Sequence, residues 1–377
     1  MENTTLLNAS QFSNETSTYF PTTSGQFPNR EILDRIFVTC LICLITIANV
    51  LMGCELDLNV VLTAIKRPVA PSIGFFTQFV IMPLLGYSIA LFVLSADDRR
   101  THLWALGLFV TGCSPGGGAS NYWTVLLDGN ANLSVTMTFM STIGALVAMP
   151  FWMNVLGSRI LESMHRSTNF TSSSERQSVF IPYGKIVASL LMLVIPLLVG
   201  LLIARYKPGM AAKAKRMMRP FIIFVLVFII IFGVSINLWL FAQITWAVLL
   251  AGLLLPWCGF MFGCFTSIIL AQAPADVTAI AIETGVQNTG IAIMLLKLSF
   301  PGADSDLASL LPISVACFTP GPLLLGYAIH STIKRLRART RDDAVTIRVS
   351  PDCDRVLIQT LSAATKNDVT QSLSASC

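Results

Sequence analysis

Long apolar runs alternate with short polar connections along almost the whole chain. Runs near the ~17–25 residues that a helix needs to cross a bilayer's hydrocarbon core occupy 36–53, 71–94, 103–127, 133–156, 186–205, 220–240, 246–271, 277–296 and 307–329. The pattern predicts an all-α polytopic membrane protein with nine transmembrane helices. A polar N-terminal segment precedes them (1–35), a membrane domain holds them (36–330), and a polar tail follows (331–377). An odd number of spans puts the two termini on opposite sides.

Two spans break the pattern in their middles. The third contains Cys113-Ser-Pro-Gly-Gly-Gly-Ala-Ser-Asn121, and the eighth contains Glu283-Thr-Gly-Val-Gln-Asn288. Pro115, Gly116, Gly117 and Gly118 make a continuous helix costly, at about 1 kcal/mol per glycine and about 3 for proline. Broken backbone at membrane depth is tolerated only where protein or a water-filled cavity satisfies the freed groups. Aligned on glycine, Gly118-Ala-Ser-Asn121 and Gly285-Val-Gln-Asn288 share the form G-x-[S/Q]-N. They lie five spans apart, and an odd shift reverses direction across the membrane, which is the mark of an inverted repeat. Five spans per repeat implies ten helices, so one terminal helix is missing from the nine. Glycines also serve simply as helix-packing surfaces, but the pairing of the breaks and the carboxylate beside one of them favour a site.

That carboxylate is Glu283. On insertion scales an acidic side chain at bilayer depth costs roughly 2.5–3.5 kcal/mol, so it faces a protein interior or an aqueous path. Other oxygens are suitably spaced: Ser134 and Thr138 share a helix face, as do Glu283 and Gln287 if the helix persists between them, and Gln78 precedes Pro83 in the second span. Unwound carbonyls with hydroxyl and amide oxygens form a hard ligand set, suited to small hard cations.

Composition agrees with the membrane reading, since 54% of residues are hydrophobic and 12% charged, about half the charged share of a soluble domain. The net charge of +5 does not point to nucleic acid, because the basic residues gather in short connections, at Lys66 and Arg67, between 207 and 219, and between 334 and 341. These fall on one side of the nine spans, which predicts a cytoplasmic tail and an extracellular N-terminus. Sequons at Asn3, Asn8 and Asn14 make glycosylation of that N-terminus an expectation, as does another at Asn169 for the outer loop 157–182. Asn132 opens a span on the inner side and is discounted. The nine cysteines fall mostly inside apolar runs, so no disulfide framework is expected.

Taken together, several of these stretches resemble the sodium/bile acid cotransporter family. They are Gly53-Cys-Glu-Leu-Asp-Leu58, Gln78-Phe-Val-Ile-Met-Pro83, Cys113-Ser-Pro-Gly-Gly117 running on to Ser120-Asn121, Asn132-Leu-Ser134, and Glu283-Thr-Gly-x-Gln-Asn288. The resemblance implies an inverted-repeat transporter fold lacking its first helix, with two crossing discontinuous helices. Its core domain would contain spans two to four and seven to nine, and its panel domain spans one, five and six. It further implies a first sodium site at Ser120, Asn121, Ser134, Thr138 and Glu283, and a second at Gln78, Glu283, Val286 and Gln287, where Val286 would serve through its carbonyl. Pro115, Gly116, Gly117, Gly118, Gly285 and Asn288 would form the helix breaks. Departures from the family lie in the ninth span, where Cys317-Phe-Thr-Pro-Gly-Pro322 carries two prolines, and in the long, serine-rich outer loop.

The expected function is sodium-coupled import of an amphipathic organic anion, bile acids or sulfated steroids first, in the plasma membrane, with Na+ as coupling ion and no cofactor. The alternatives are another organic anion as cargo, an orphan carrier or, more distantly, a multi-span receptor. The spans hold no His/Asp, Ser/Lys or metal-ligand cluster of an enzyme.

Overall fold

The structure is a computed structural model, and it describes residues 30–66, 68–94, 98–167, 183–228, 243–300 and 302–348. Among these residues the fold is all-helical. In order the helices are α1 (Arg30–Glu55), α2 (Leu58–Lys66), α3 (Val69–Phe76), α4 (Met82–Val93), α5 (Arg99–Cys113), α6 (Ser120–Leu126), α7 (Ala131–Trp152) and α8 (Ser158–Ser167). They continue with α9 (Tyr183–Tyr206), α10 (Pro208–Phe228), α11 (Trp246–Ile269), α12 (Pro274–Gly285), α13 (Thr289–Ser299), α14 (Gly302–Phe318) and α15 (Pro320–Arg348). One π-helical turn, Thr77–Ile81, joins α3 to α4, and another, Met153–Gly157, joins α7 to α8.

Six stretches of described helix are long and apolar enough to cross a membrane: Arg35–Glu55, Val69–Val93, Ala131–Ser163, Ile186–Tyr206, Trp246–Ile269 and Ala303–Arg337. The third and eighth apolar runs are split, as α5/α6 and α12/α13, and the sixth is seen only through Phe228.

Connections differ more from expectation. The basic stretch 207–219, expected as a loop, is the first half of α10, because its alanines, methionines and lysines are all good helix formers. A short helix, α2, stands where a connection between the first two spans was expected. The expected outer loop begins helically through Ser167, and the tail begins helically through Arg348. The two prolines of the ninth span interrupt it only at Thr319, whose amide still reaches the Val315 carbonyl at 2.9 Å.

Close helix packing relies on small residues, as is usual in membranes. Gly53 of α1 and Gly200 of α9 meet so closely that a Cβ on Gly200 would stand 2.1 Å from the Val50 carbonyl oxygen. Gly107 brings α5 against Ala308 of α14, and Gly259 and Gly263 bring α11 against α12. The main core, with Met82, Leu108, Phe109 and Met149 fully buried, lies among α4, α5, α7, α9, α11, α13 and α14. Large apolar side chains such as Phe92, Val147 and Ile269 point outward, as a lipid-facing surface requires.

The π-turn in the second span has a local cause. Pro83 lacks an N–H, so the Phe79 carbonyl four residues earlier loses its helical donor. The Trp152 indole takes that carbonyl at 2.7 Å. Within the widened turn, Gln78 is fully buried.

Candidate functional site

Both helix breaks are set by the local chain. Ser114 precedes proline and is extended (φ −68°, ψ 156°), ending α5. Val286 is likewise extended after α12, and Asn288 then caps α13, its side chain accepting from the Ile291 amide. The freed backbone groups pair with each other. Gly116 and Gln287 form an antiparallel bridge, the Gly117 amide donates to the Val286 carbonyl at 2.8 Å, and the Asn288 amide donates to the Pro115 carbonyl at 3.0 Å. In this way each break satisfies the other at a depth where water is not needed to do so.

Glu283 lies directly against this junction, 1% exposed. Its Oε2 accepts from the Ser120 hydroxyl at 2.5 Å and the Thr138 hydroxyl at 3.0 Å. Asn121 Oδ1 accepts from Ser134 at 2.8 Å and from Thr138 at 3.3 Å. All five residues of the first predicted group are therefore buried and in one hydrogen-bonded cluster. A Cβ on Gly116 would stand 2.0 Å from Glu283 Oε1, so only glycine lets the strand-like break pass the carboxylate.

The second group is joined less directly. Gln78 Nε2 donates to the Ser114 carbonyl at 2.7 Å and to Gln287 Oε1 at 2.9 Å, while Gln287 Nε2 donates to the Thr284 carbonyl at 2.7 Å. Two backbone carbonyls thus fix both amide orientations. Val286 offers its carbonyl, already holding the Gly117 amide. Glu283 reaches this group through the Gly116 backbone, not through a hydrogen bond to Gln78 or Gln287. Gly118 faces only the Met52 sulfur, and Gly285 packs under the Phe260 ring. Asn3, Asn8 and Asn14 lie outside the described residues, as does Asn169.

Two oxygens in this cluster are orphaned: among the described residues, Glu283 Oε1 and Gln78 Oε1 are buried without a hydrogen-bond partner. Leaving such a group unpaired costs about 1–3 kcal/mol, more for a charged one. Neither oxygen needs a donor if a hard cation supplies the positive charge, and the surrounding ligands are carboxylate, amide, hydroxyl and carbonyl oxygens.

The sequence reading missed several members of this cluster. Thr124 donates to Ser134 at 3.2 Å, Ser141 accepts from the Gly116 amide at 3.3 Å, and Thr77 and Thr284 share a bond of 2.7 Å. Ser141 was findable, since it continues the helical stripe of Ser134 and Thr138. The other three lie on separate segments with no spacing to connect them.

A cavity of about 980 Å³ opens beside the cluster. Asn121 belongs to both. Tyr122, Trp123 and Tyr327 supply aromatic wall, while Lys215, Arg216 and Lys334, against the single carboxylate Glu55, make the lining basic. Beside the cavity Asp128, in the turn between α6 and α7, pairs with Lys334 at 2.7 Å and with His330 at 3.0 Å. The hydrogen bond from Lys334, then that from His330, holds the Asp128 carboxyl below its usual range. At the opposite end of α13, Lys297 pairs with Asp306 and ties it to α14.

Among known proteins, the chain is similar to the P3 protein of Homo sapiens, with 30% identity over 296 residues, covering 78% of this chain and 58% of that protein. It therefore spans somewhat over half the length of that relative. The ileal sodium/bile acid cotransporter of Mus musculus is 30% identical over 292 residues, 76% of this chain and 77% of that protein. Sodium/bile acid cotransporter 5 of Rattus norvegicus is 29% identical over 293 residues, 77% and 63% of the two chains. The model of the sodium bile acid symporter family matches residues 41–244, more than half of the chain and the whole of the first break with its hydroxyl partners. With that match and the coverage of the ileal cotransporter, the chain belongs to the sodium bile acid symporter family.

Proposed function

We propose that the chain is a sodium-coupled symporter of the plasma membrane that imports an amphipathic organic anion, with bile acids or sulfated steroids as the first substrates to test. The observation that carries this reading is the buried Glu283, whose Oε2 holds two hydroxyls while its Oε1 is left without a donor beside Gly116. Such a carboxylate supplies negative charge to offset ion dehydration, and its neighbours offer oxygens in place of lost water.

In this reading one sodium ion binds among Ser120, Asn121, Ser134, Thr138 and Glu283. A second binds among Gln78, Glu283, Gln287 and the Val286 carbonyl. The nine spans form an inverted repeat whose two broken helices cross at the Gly116–Gln287 bridge. Spans two to four and seven to nine make the core, and spans one, five and six the panel. The anion occupies the 980 Å³ cavity, its apolar body against Tyr122 and Trp123 and its charge toward Lys215, Arg216 and Lys334. Asn121 links the two ligands, as one side chain lining the cavity and holding the hydroxyls of the ion cluster. The N-terminus lies outside, glycosylated at Asn3, Asn8 and Asn14, and the tail lies inside. With two sodium ions per monoanion, each cycle moves one net charge, worth about 2.3 kcal/mol per 100 mV.

The test is uptake of labelled bile acids and steroid sulfates into cells with sodium or with choline outside. Glu283→Gln abolishes the sodium-driven part while surface delivery is retained. Undiminished sodium-driven uptake in that variant overturns the assignment.

A further inference from the structure

A second cavity, of about 700 Å³, shares Lys215 with the proposed transport cavity and is otherwise lined by different residues. It lies between the end of α1 with α2 and the end of α9 with the start of α10, and none of the ion-cluster residues lines it. Arg205 and Lys215 stand on its wall, from different helices, above aliphatic side chains that include Leu62 and Leu201. Both cations are exposed. Among the described residues neither makes an ion pair. The exposed Lys207, Lys213 and Arg216 stand on the same stretch of α9–α10. Against these five cations the wall holds one carboxylate, Asp57, whose Oδ1 is occupied by the Asn59 amide at 2.9 Å.

The level of this cavity follows from the helices. The apolar stretch of α9 ends at Tyr206, so Arg205 and the cavity mouth lie where hydrocarbon gives way to headgroups. Ala211 and Met218, seven residues apart and both buried, hold α10 by one face; Lys215, four residues after Ala211, extends from that face into the cavity wall, and Lys213 and Arg216 stand exposed on the rest of the helix. Basic pockets between spanning helices at the cytoplasmic level are suited to anionic headgroups, and an arginine fork matches phosphate.

We propose that this cavity binds the headgroup of an inner-leaflet lipid carrying phosphate monoesters, of the phosphoinositide class. Arg205 and Lys215 take the phosphates, Lys207, Lys213 and Arg216 supply the surrounding field, and the acyl chains lie along exposed apolar side chains such as Leu62. A phosphodiester such as phosphatidylserine is satisfied by a flat basic surface and needs no cavity of this size. The inference rests on the inward orientation of this face given under the proposed function.

The test uses the full-length chain, purified and passed through phosphatidylcholine vesicles doped with phosphatidylinositol bisphosphate or with phosphatidylserine, then examined by native mass spectrometry. One bisphosphate lipid per chain is retained in preference to phosphatidylserine. Arg205→Gln lowers that retention about ten-fold, the loss of one charge-assisted phosphate contact. Ala212→Trp, which fills the cavity and leaves every cation, abolishes it, while the double variant Arg335→Gln/Arg337→Gln, which removes two exposed cations outside the cavity wall, retains it. Monodisperse elution and an unchanged unfolding temperature qualify each variant as folded. Equal retention of phosphatidylserine, undiminished retention in Ala212→Trp, or full displacement by soluble inositol trisphosphate overturns the proposal. Since binding is read without sodium or substrate, its failure leaves the symport reading standing, and a chain that holds the lipid yet shows no sodium-driven uptake fails the symport reading alone.

Discussion

Replacing Gly116 with alanine places a carbon 2.0 Å from Glu283 Oε1, about 1.3 Å inside the ~3.3 Å at which a C–H group and an oxygen ordinarily meet. The backbone cannot yield freely, because Gly116 is bridged to Gln287 and its neighbour Gly117 is bonded to Val286. Glu283 must therefore swing away. That movement disturbs the Oε2 bonds to Ser120 and Thr138, and the proposed ion-bound state needs both carboxylate oxygens in place, so the strain falls on binding. Overpacking of this kind costs about 1–3 kcal/mol, and at ~1.4 kcal/mol per decade this becomes a roughly 5- to 150-fold weaker sodium affinity. Neither Gly116 nor Gly118 has a left-handed φ, so alanine at either position reports crowding alone. At Gly118 a Cβ meets only the Met52 sulfur at 3.2 Å, which a flexible thioether accommodates. The assay is the sodium dependence of the unfolding temperature at constant ionic strength, with choline as the replacement cation. Wild type and Gly118→Ala give the same sodium midpoint, and Gly116→Ala gives one raised by the factor above. A wild-type midpoint in Gly116→Ala, or an equal loss in Gly118→Ala, refutes the reasoning.

Three further outcomes are expected. Gln78→Leu leaves the Ser114 carbonyl without its donor and Gln287 Oε1 with only the Ser114 hydroxyl at 3.4 Å, at about 1–3 kcal/mol for the orphaned carbonyl. It lowers the unfolding temperature and reduces the steepness of sodium activation from the proposed two ions to one; a Hill slope that stays at two counts against the proposed second site. Gly200→Ala forces apart α1 and α9, where its Cβ would stand 2.1 Å from the Val50 oxygen, an overpacking of about 1–3 kcal/mol. The unfolding temperature falls while the sodium midpoint does not move, and a shifted midpoint would contradict the separation of that seam from the proposed ion cluster. The Asp128 carboxyl is held below its usual range by Lys334 and then His330, so its tie to α15 is present at neutral pH and is lost as pH falls through that depressed value. Asp128→Asn removes this pH step from cross-linking between cysteines placed on the α6–α7 turn and α15, and persistence of the step assigns it to another group.

Six long apolar helices and both breaks were legible because each rests on a short-range rule: bilayer length for the runs, and proline and glycine cost for Pro115 to Gly118. Glu283 was legible from its cost alone. The connections were not, since 207–219 reads as a polar loop by charge while its Ala/Met/Lys composition and the burial of Ala211 and Met218 make it a helix. Pro83 marks the second span locally, but the partner that takes the freed Phe79 carbonyl in the π-turn was hidden, because Trp152 reaches it across 73 positions of sequence. Thr77 and Thr284, 207 positions apart, share a bond that no spacing could suggest. What one segment dictates for itself could be read, and what two segments settle between them could not.

The reciprocal pairing of the two breaks bears on how the chain is made. Ser120 and Glu283 are 163 positions apart, and the backbone bonds that close the first break come from Val286 and Asn288. During synthesis the first break enters the membrane long before its partner exists, with the Pro115 carbonyl and Gly117 amide open. Until the second break arrives, those groups need water or a helper protein, because lipid offers them nothing. Completion of the Glu283 cluster is thus a late event in biogenesis, and a nascent chain halted before Val286 has the carboxylate and its hydroxyl partners but not the backbone that closes the first break.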